Sequence, residues 1–224
     1  MTVQEFHIAI GLEVDKTLDF EYPYMSPEQI DYWLNKAQDR FVKQRASGNN
    51  LKKEGFEVTQ KRIDDLRTVL KDSTIVPVQS GTIFKSALPA DYRWLIRHTC
   101  DTGNTVCSTS TVGGQEIQQD DLNELKINPF WSPSKVEPLY YLFNNDIVYE
   151  TDGNFTVTST KVYYIKKYNK IQYGTQYVTP LPDIQCELPE FVHEEIVDIA
   201  RDMILENIES QRYQTSQVDL TKSE

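Results

Sequence analysis

The side chains with the widest chemical range in this sequence are its three histidines, His7, His98 and His193, and its three cysteines, Cys100, Cys107 and Cys186. The histidines fall in three separate stretches of chain. His98-Thr99-Cys100 together with Cys107 offers three soft ligands, but their spacing matches no zinc signature. His193-Glu194-Glu195 has no second histidine four residues on, as a zinc-protease helix requires. The cysteine pair therefore reads as small buried hydrophobes beside a surface histidine, and His193 as part of the polar face of a helix. Gly113-Gly114 lacks the following lysine or helix start that would cradle a phosphate. The carboxylate pairs Asp64-Asp65, Asp120-Asp121 and Glu194-Glu195 are adjacent in sequence. Acid–base chemistry needs two carboxylates held in different environments, and neighbours on an amphipathic helix point apart into water. No serine sits in a nucleophile-elbow sequence. No enzyme, metal or cofactor signature rises above background, which favours a structural or interaction protein.

The bulk properties agree. The chain has 224 residues, with 39% hydrophobic and 11% aromatic content, too apolar for intrinsic disorder despite a net charge of −11. No run approaches 18 apolar residues, and Met1-Thr2-Val3-Gln4-Glu5-Phe6 has no signal-peptide character, so a membrane or secreted protein is not expected. Without a secretion signal, the glycosylation triplet Asn154-Phe155-Thr156 reads as coincidence. An odd number of cysteines argues for reduced thiols. Charge is unevenly placed: Pro27 to Lys71 carries ten basic and seven acidic side chains, net +3, leaving −14 for the remainder. From Glu187 onward there are ten acids and three bases, net −7. Such a chain is a poor general binder of nucleic acid. Its basic and acidic segments are suited to attract each other head to tail between copies, if they are more than two solvated helix faces.

The elements that must position these residues can be read from caps and periodicity. Ser26, Pro27 and Gln29 form a capping box, and Ile30, Trp33, Leu34, Ala37 and Phe41 follow at helical spacing until Ser47-Gly48-Asn49-Asn50. A second helix is expected from Thr59 to Lys71, with Ile63, Leu66 and Leu70 inward. The period then shifts towards two. Ile75–Val78, Thr82–Phe84, Trp94–Ile96 and the run around Val106 read as short strands, and Asp121–Lys126 as one helical turn. The stretches 138–143, 146–150 and 161–165 read as consecutive antiparallel strands joined at Asn144-Asn145 and Asp152-Gly153-Asn154. Gln172 to Glu187 reads as an extended strap. A final helix begins at Leu188-Pro189-Glu190 and carries Val192, Ile196, Ile199, Ala200, Met203, Ile204 and Ile208 over about 20 residues. The expectation is an α+β fold: a helical bundle from residues 1–74 plus 186–214, a β-rich insertion at 75–185, and a tail at 215–224. Eight tyrosines (Tyr140, Tyr141, Tyr149, Tyr163, Tyr164, Tyr168, Tyr173 and Tyr177) mark either an interface or an ordinary sheet.

Several stretches then share an order with a known group. Leu34-Asn35-Lys36-Ala37-Gln38-Asp39-Arg40-Phe41-Val42-Lys43-Gln44-Arg45 resembles the N-terminal hairpin of neck ring proteins from crAss-like, podovirus-type bacteriophages. Leu88-Pro89-Ala90-Asp91-Tyr92 resembles a turn common before the β part of head–tail connectors. Tyr163-Tyr164-Ile165-Lys166-Lys167, Leu188-Pro189-Glu190, His193-Glu194-Glu195-Ile196-Val197 and Ser210-Gln211-Arg212-Tyr213-Gln214 resemble the closing half. The resemblance implies a non-enzymatic virion protein of the neck, assembled in the host bacterial cytoplasm. It would form a ring, commonly of twelve copies, beneath the portal, extending the DNA channel without binding DNA specifically and providing attachment for the tail. On that reading Lys36, Arg40, Lys43 and Arg45 face Glu194, Asp198 and Asp202 of the next copy, and Arg212, Tyr213 and Gln214 dock on the portal. Partners would be further copies, the portal protein and an adjacent ring, with no membrane and no cofactor. The alternatives are a tail-side ring, a cargo-associated protein, or a hydrolase using carboxylates and His193.

Overall fold

Ser26 and Gln29 cap each other reciprocally: the Ser26 amide donates to Gln29 Oε1 at 3.0 Å, and the Gln29 amide to Ser26 Oγ at 3.4 Å. They open helix α2, Pro27–Ala46, whose Leu34, Ala37, Phe41 and Val42 are buried. The computed structural model describes residues 1–18, 25–46, 60–103, 110–128 and 130–207. The run around Val106, the residues Ser210 to Gln214 and the expected tail lie outside them. The fold is α+β, and the chain divides into two units, residues 1–69 with 168–224 and residues 70–167.

The helical unit begins with a helix that sequence periodicity did not single out, although Thr2 and Glu5 cap it reciprocally. The Thr2 amide donates to Glu5 Oε2 at 2.7 Å and the Glu5 amide to Thr2 Oγ1 at 3.3 Å. In α1, Val3–Leu18, the residues Phe6, Ile10 and Val14 recur every fourth position and are buried, so the helix lies along α5, His193–Asn207. Helix α5 places Ile196, Ala200 and Ile204 against α2 and α1. The second expected helix is shorter than its period suggested. Helix α3, Gln60–Leu66, ends in a 3₁₀ turn at Arg67–Val69, and Leu70 already begins a strand. Cross-strand partners override helical propensity here, since Leu70 through Ile75 pair one for one with Ile165 through Thr160. Ile63 is half-buried, and Arg62 and Asp65 turn inward instead.

The β unit holds two sheets. The first orders β1 (Leu70–Ile75), β9 (Thr156–Lys166), β4 (Tyr92–Gly103) and β5 (Ser110–Val112). The second orders β2 (Val78–Ser80), β3 (Ile83–Ala87), β8 (Asp146–Glu150), β7 (Leu139–Phe143) and β6 (Gln115–Glu116). Helix α4, Leu122–Ile127, lies between β6 and β7 in sequence. Both sheets supply one core, with Cys100, Val157, Val162 and Tyr164 from the first and Phe84, Tyr140, Ile147 and Tyr149 from the second. Across that core Ser86 and Thr160 share a buried hydrogen bond of 3.0 Å. The hairpin at Asn144-Asn145 forms as expected, with Asn144 in the left-handed region at φ 54°. The next connection does not continue it. Strand β8 is already flanked by β3 and β7, so Asp152-Gly153-Asn154 carries the chain to the other sheet, where β9 pairs with β1 and β4.

Candidate interaction surface

The three histidines are internal. His98 is buried against Tyr140, with ring centroids 4.0 Å apart, and burial pushes its pKa down to about 4. His193 is buried rather than on the polar face of its helix. Its Nε2 pairs with the Leu188 carbonyl at 3.0 Å, its ring packs on Phe6, and burial lowers its pKa. Desolvation raises the thiols of Cys100 to about 12 and of Cys186 to about 11, so both stay protonated and unreactive near neutrality. Among the described residues no group of three or more His, Cys, Asp or Glu side chains is placed to hold a metal.

His7 and Asp31 come nearest to a catalytic pairing, with Nε2 and Oδ1 2.8 Å apart. Yet Asp31 is buried, and its other oxygen accepts from the Tyr173 amide at 2.8 Å and from the Tyr177 hydroxyl. One turn further along α2, Asn35 donates to the Ile171 carbonyl and accepts from the Ile171 amide, both at 2.8 Å. These groups fasten the strap to α2. The strap is itself cross-braced by the Gln172–Ile184 bridge, and the Gly174 amide region packs so closely that a Cβ there would lie 2.6 Å from the Leu181 carbonyl oxygen. Beyond the brace, Val178 and Leu181 are exposed.

The charged residues expected at a subunit contact divide into two sets. Arg45 is buried and bound within the chain: Nε lies 2.9 Å from Asp65 Oδ2, and an Nη donates to Glu195 Oε2 at 2.6 Å. Lys61 reaches the other Glu195 oxygen at 3.1 Å. Attraction between the basic hairpin and the acidic last helix is thus realised here inside one protomer. Asp202 is also buried, 3.1 Å from Arg201, which binds Asp198 at 3.0 Å as well. Asp65 and Asp198 have raised pKa values from desolvation, although Arg45 and Arg201 oppose the shifts. Glu194 remains exposed on α5.

The outer face of α2 is different. Tyr32 is 54% exposed and stacks edge-on against Trp33, with the Lys36 ammonium 4.9 Å and 5.0 Å from the two ring centres. Arg40 and Lys43 continue the same face, with Lys43 2.6 Å from Asp39. The sequence grouped Lys36, Arg40, Lys43 and Arg45 by charge and set Trp33 on the inward stripe; in the structure Trp33 is half-buried beside Lys36 and Arg45 turns inward. The eight clustered tyrosines do not add a surface. Tyr140, Tyr149 and Tyr164 are buried, and the other five are half-buried. Sequence reading also passed over the loop after α4, where Phe130 and Trp131 are 90% and 52% exposed. This arrangement suits packing against another macromolecule, through a basic aromatic helix face.

Comparison with known proteins bears on what that packing builds. The model of the family described as phage tail ring protein 3/4 matches residues 28–217. No curated protein matches the chain.

Proposed function

The chain belongs to the phage tail ring protein 3/4 family and is a structural ring protein of a phage virion; from this premise we propose that it is a head–tail connector subunit, forming a ring that extends the DNA channel between portal and tail. Subunits in a closed ring meet through two different patches on each copy. The observation that carries the assembly reading is the outward face of α2, where Tyr32 is exposed and Lys36 and Arg40 form no ion pair among the described residues, in a chain of net charge −11. This face supplies one half of the side-by-side contact. The acidic excess elsewhere suits a lumen along which DNA slides, because like charge repels the phosphate backbone. A copy number of twelve and docking of Arg212, Tyr213 and Gln214 on the portal belong to the same proposal.

A second reading, a ring on the tail side that never touches the portal, is favoured by the family's description as a tail ring. Mass measurement of the purified chain across concentration, then negative-stain imaging with and without purified portal rings, separates the two. Rings seated on the portal are expected, and Arg212→Glu should abolish the seating while leaving the fold intact. Rings that form but ignore the portal would move the protein to the tail side. A chain that forms no ring under either condition and is absent from the particle's ring density would overturn both.

A further inference from the structure

Of the acidic residues expected at the contact between copies, Asp198 and Asp202 are engaged by Arg201 within their own protomer, while Glu194 is exposed. Glu195 is likewise engaged by Arg45 and Lys61 of the same protomer. The β unit carries acidic groups that are not. Asp120, Asp121 and Glu124 are exposed and form no ion pair among the described residues, and the Asp121 carboxylate makes no capping bond to α4. The nearby bases are occupied: Lys126 binds Glu150 at 2.9 Å, and Lys135 has a partner of its own.

These acids are followed, a few residues along the chain, by an exposed apolar stretch. In the loop leaving α4, Phe130 is 90% exposed, Trp131 52% and Val136 74%. The loop is nonetheless held. Asn128 accepts from the Phe130 amide through Oδ1 at 3.0 Å and from the Trp131 amide through its carbonyl at 3.1 Å. Ser134 Oγ accepts from the Glu137 amide at 3.0 Å, and Thr102 Oγ1 donates to the Lys135 carbonyl at 2.8 Å. Large aromatics fixed in water are unfavourable for an isolated chain, whereas a rigid aromatic anchor loses little entropy when it binds. Trp in particular concentrates at the energetic centres of interfaces.

We propose that the exposed Phe130–Trp131 stretch, together with the preceding Asp120, Asp121 and Glu124, docks on the outer face of α2 in a second copy of this chain. The match is in both charge and surface type: exposed aromatics close in sequence to unpaired carboxylates meet Tyr32 and Trp33 beside Lys36, Arg40 and Lys43. The inference rests on the ring reading and names the two unlike patches that such a ring requires. Lys36 then exchanges its intramolecular ring contacts for a carboxylate of the neighbour, and Arg40 gains a partner.

The test uses assembled particles, so that it does not depend on the free chain forming rings. Full-length protein carrying the photoreactive p-benzoylphenylalanine in place of Phe130 is incorporated into virions, irradiated and mapped by mass spectrometry. The expected product joins position 130 to the 27–46 peptide of another copy. Attachment to a different peptide of another copy overturns the docking but leaves the ring reading intact. Attachment to a different virion protein, or no attachment while amine-reactive cross-links between copies do form, also overturns the docking. Absence of any cross-link between copies removes the ring reading with it. As an independent arm, Asp121→Lys with Glu124→Lys, or Lys36→Glu with Arg40→Glu, should each lower incorporation about ten-fold, and the four together should restore it to within about two-fold. Losses that simply accumulate would refute the pairing.

Discussion

His98 provides a quantitative test of the β-unit core. Its ring lies between Tyr140 and Tyr149, its Nε2 is buried without a hydrogen-bond partner, and Gly114 leaves no slack, because a Cβ there would sit 3.0 Å from that nitrogen. Charging the ring would therefore require a desolvated imidazolium. The folded pKa is about 4 against an ordinary value of 6.5. A depressed histidine pKa means that the unfolded chain binds the proton first. Stability from this group is then complete above pH 6.5 and is lost as pH falls towards 4. The full difference corresponds to roughly 3 kcal/mol. His193, whose pKa burial also lowers, acts in the same direction, while Asp65 and Asp198, with pKa values raised by desolvation, oppose it. The His98→Gln variant isolates the effect. Urea unfolding of parent and variant between pH 7 and 4 should show the variant losing less stability on acidification, by an amount approaching that figure. An NMR titration should place the parent His98 ring near pH 4. Parallel pH profiles, or a ring titrating near 6.5, would refute the burial argument.

The remaining predictions concern the helical unit. Arg45→Met should cost about 3–5 kcal/mol in chemical unfolding by stranding buried Asp65, and adding Asp65→Leu should recover most of it. Asn35→Ala leaves both polar backbone groups of buried Ile171 unpaired, so a loss of about 2–4 kcal/mol and faster proteolysis within 172–184 are expected. Gly174→Ala should produce the same proteolytic sensitivity, because its Cβ collides with Leu181 backbone that has no room to yield.

Local signals made much of the fold legible. The Ser26–Gln29 cap, the α2 and α5 stripes and the 144–145 hairpin all follow from side-chain type and spacing. What escaped depends on contacts distant in sequence. Helix α1 opens on a Thr2–Glu5 capping box, yet its buried face is defined only by packing against α5. Strand β9 left the meander because β8 had no free edge, a fact of pairing order rather than of residues 156–166 themselves. The charges were visible but their partners were not: Arg45 and Glu195 are 150 positions apart, and nothing in either neighbourhood announces the bond. Phe130 and Trp131 escaped for another reason. Apolar side chains beside two prolines resemble ordinary core until their exposure is known.

The helical unit is assembled from two lengths of chain with the whole β unit between them. During synthesis residues 70–167 leave the ribosome with their sheet partners all present, so they are able to fold while α2 still lacks α5. Until α5 arrives, Arg45 has Asp65 but not Glu195, and α2 lacks the helix it packs on most extensively; the closing of so long a loop is entropically slow. The basic face of α2 therefore becomes a fixed surface only after α5 has been made. On the docking proposed for that face, a subunit built in this order is protected from joining its neighbours while still unfinished.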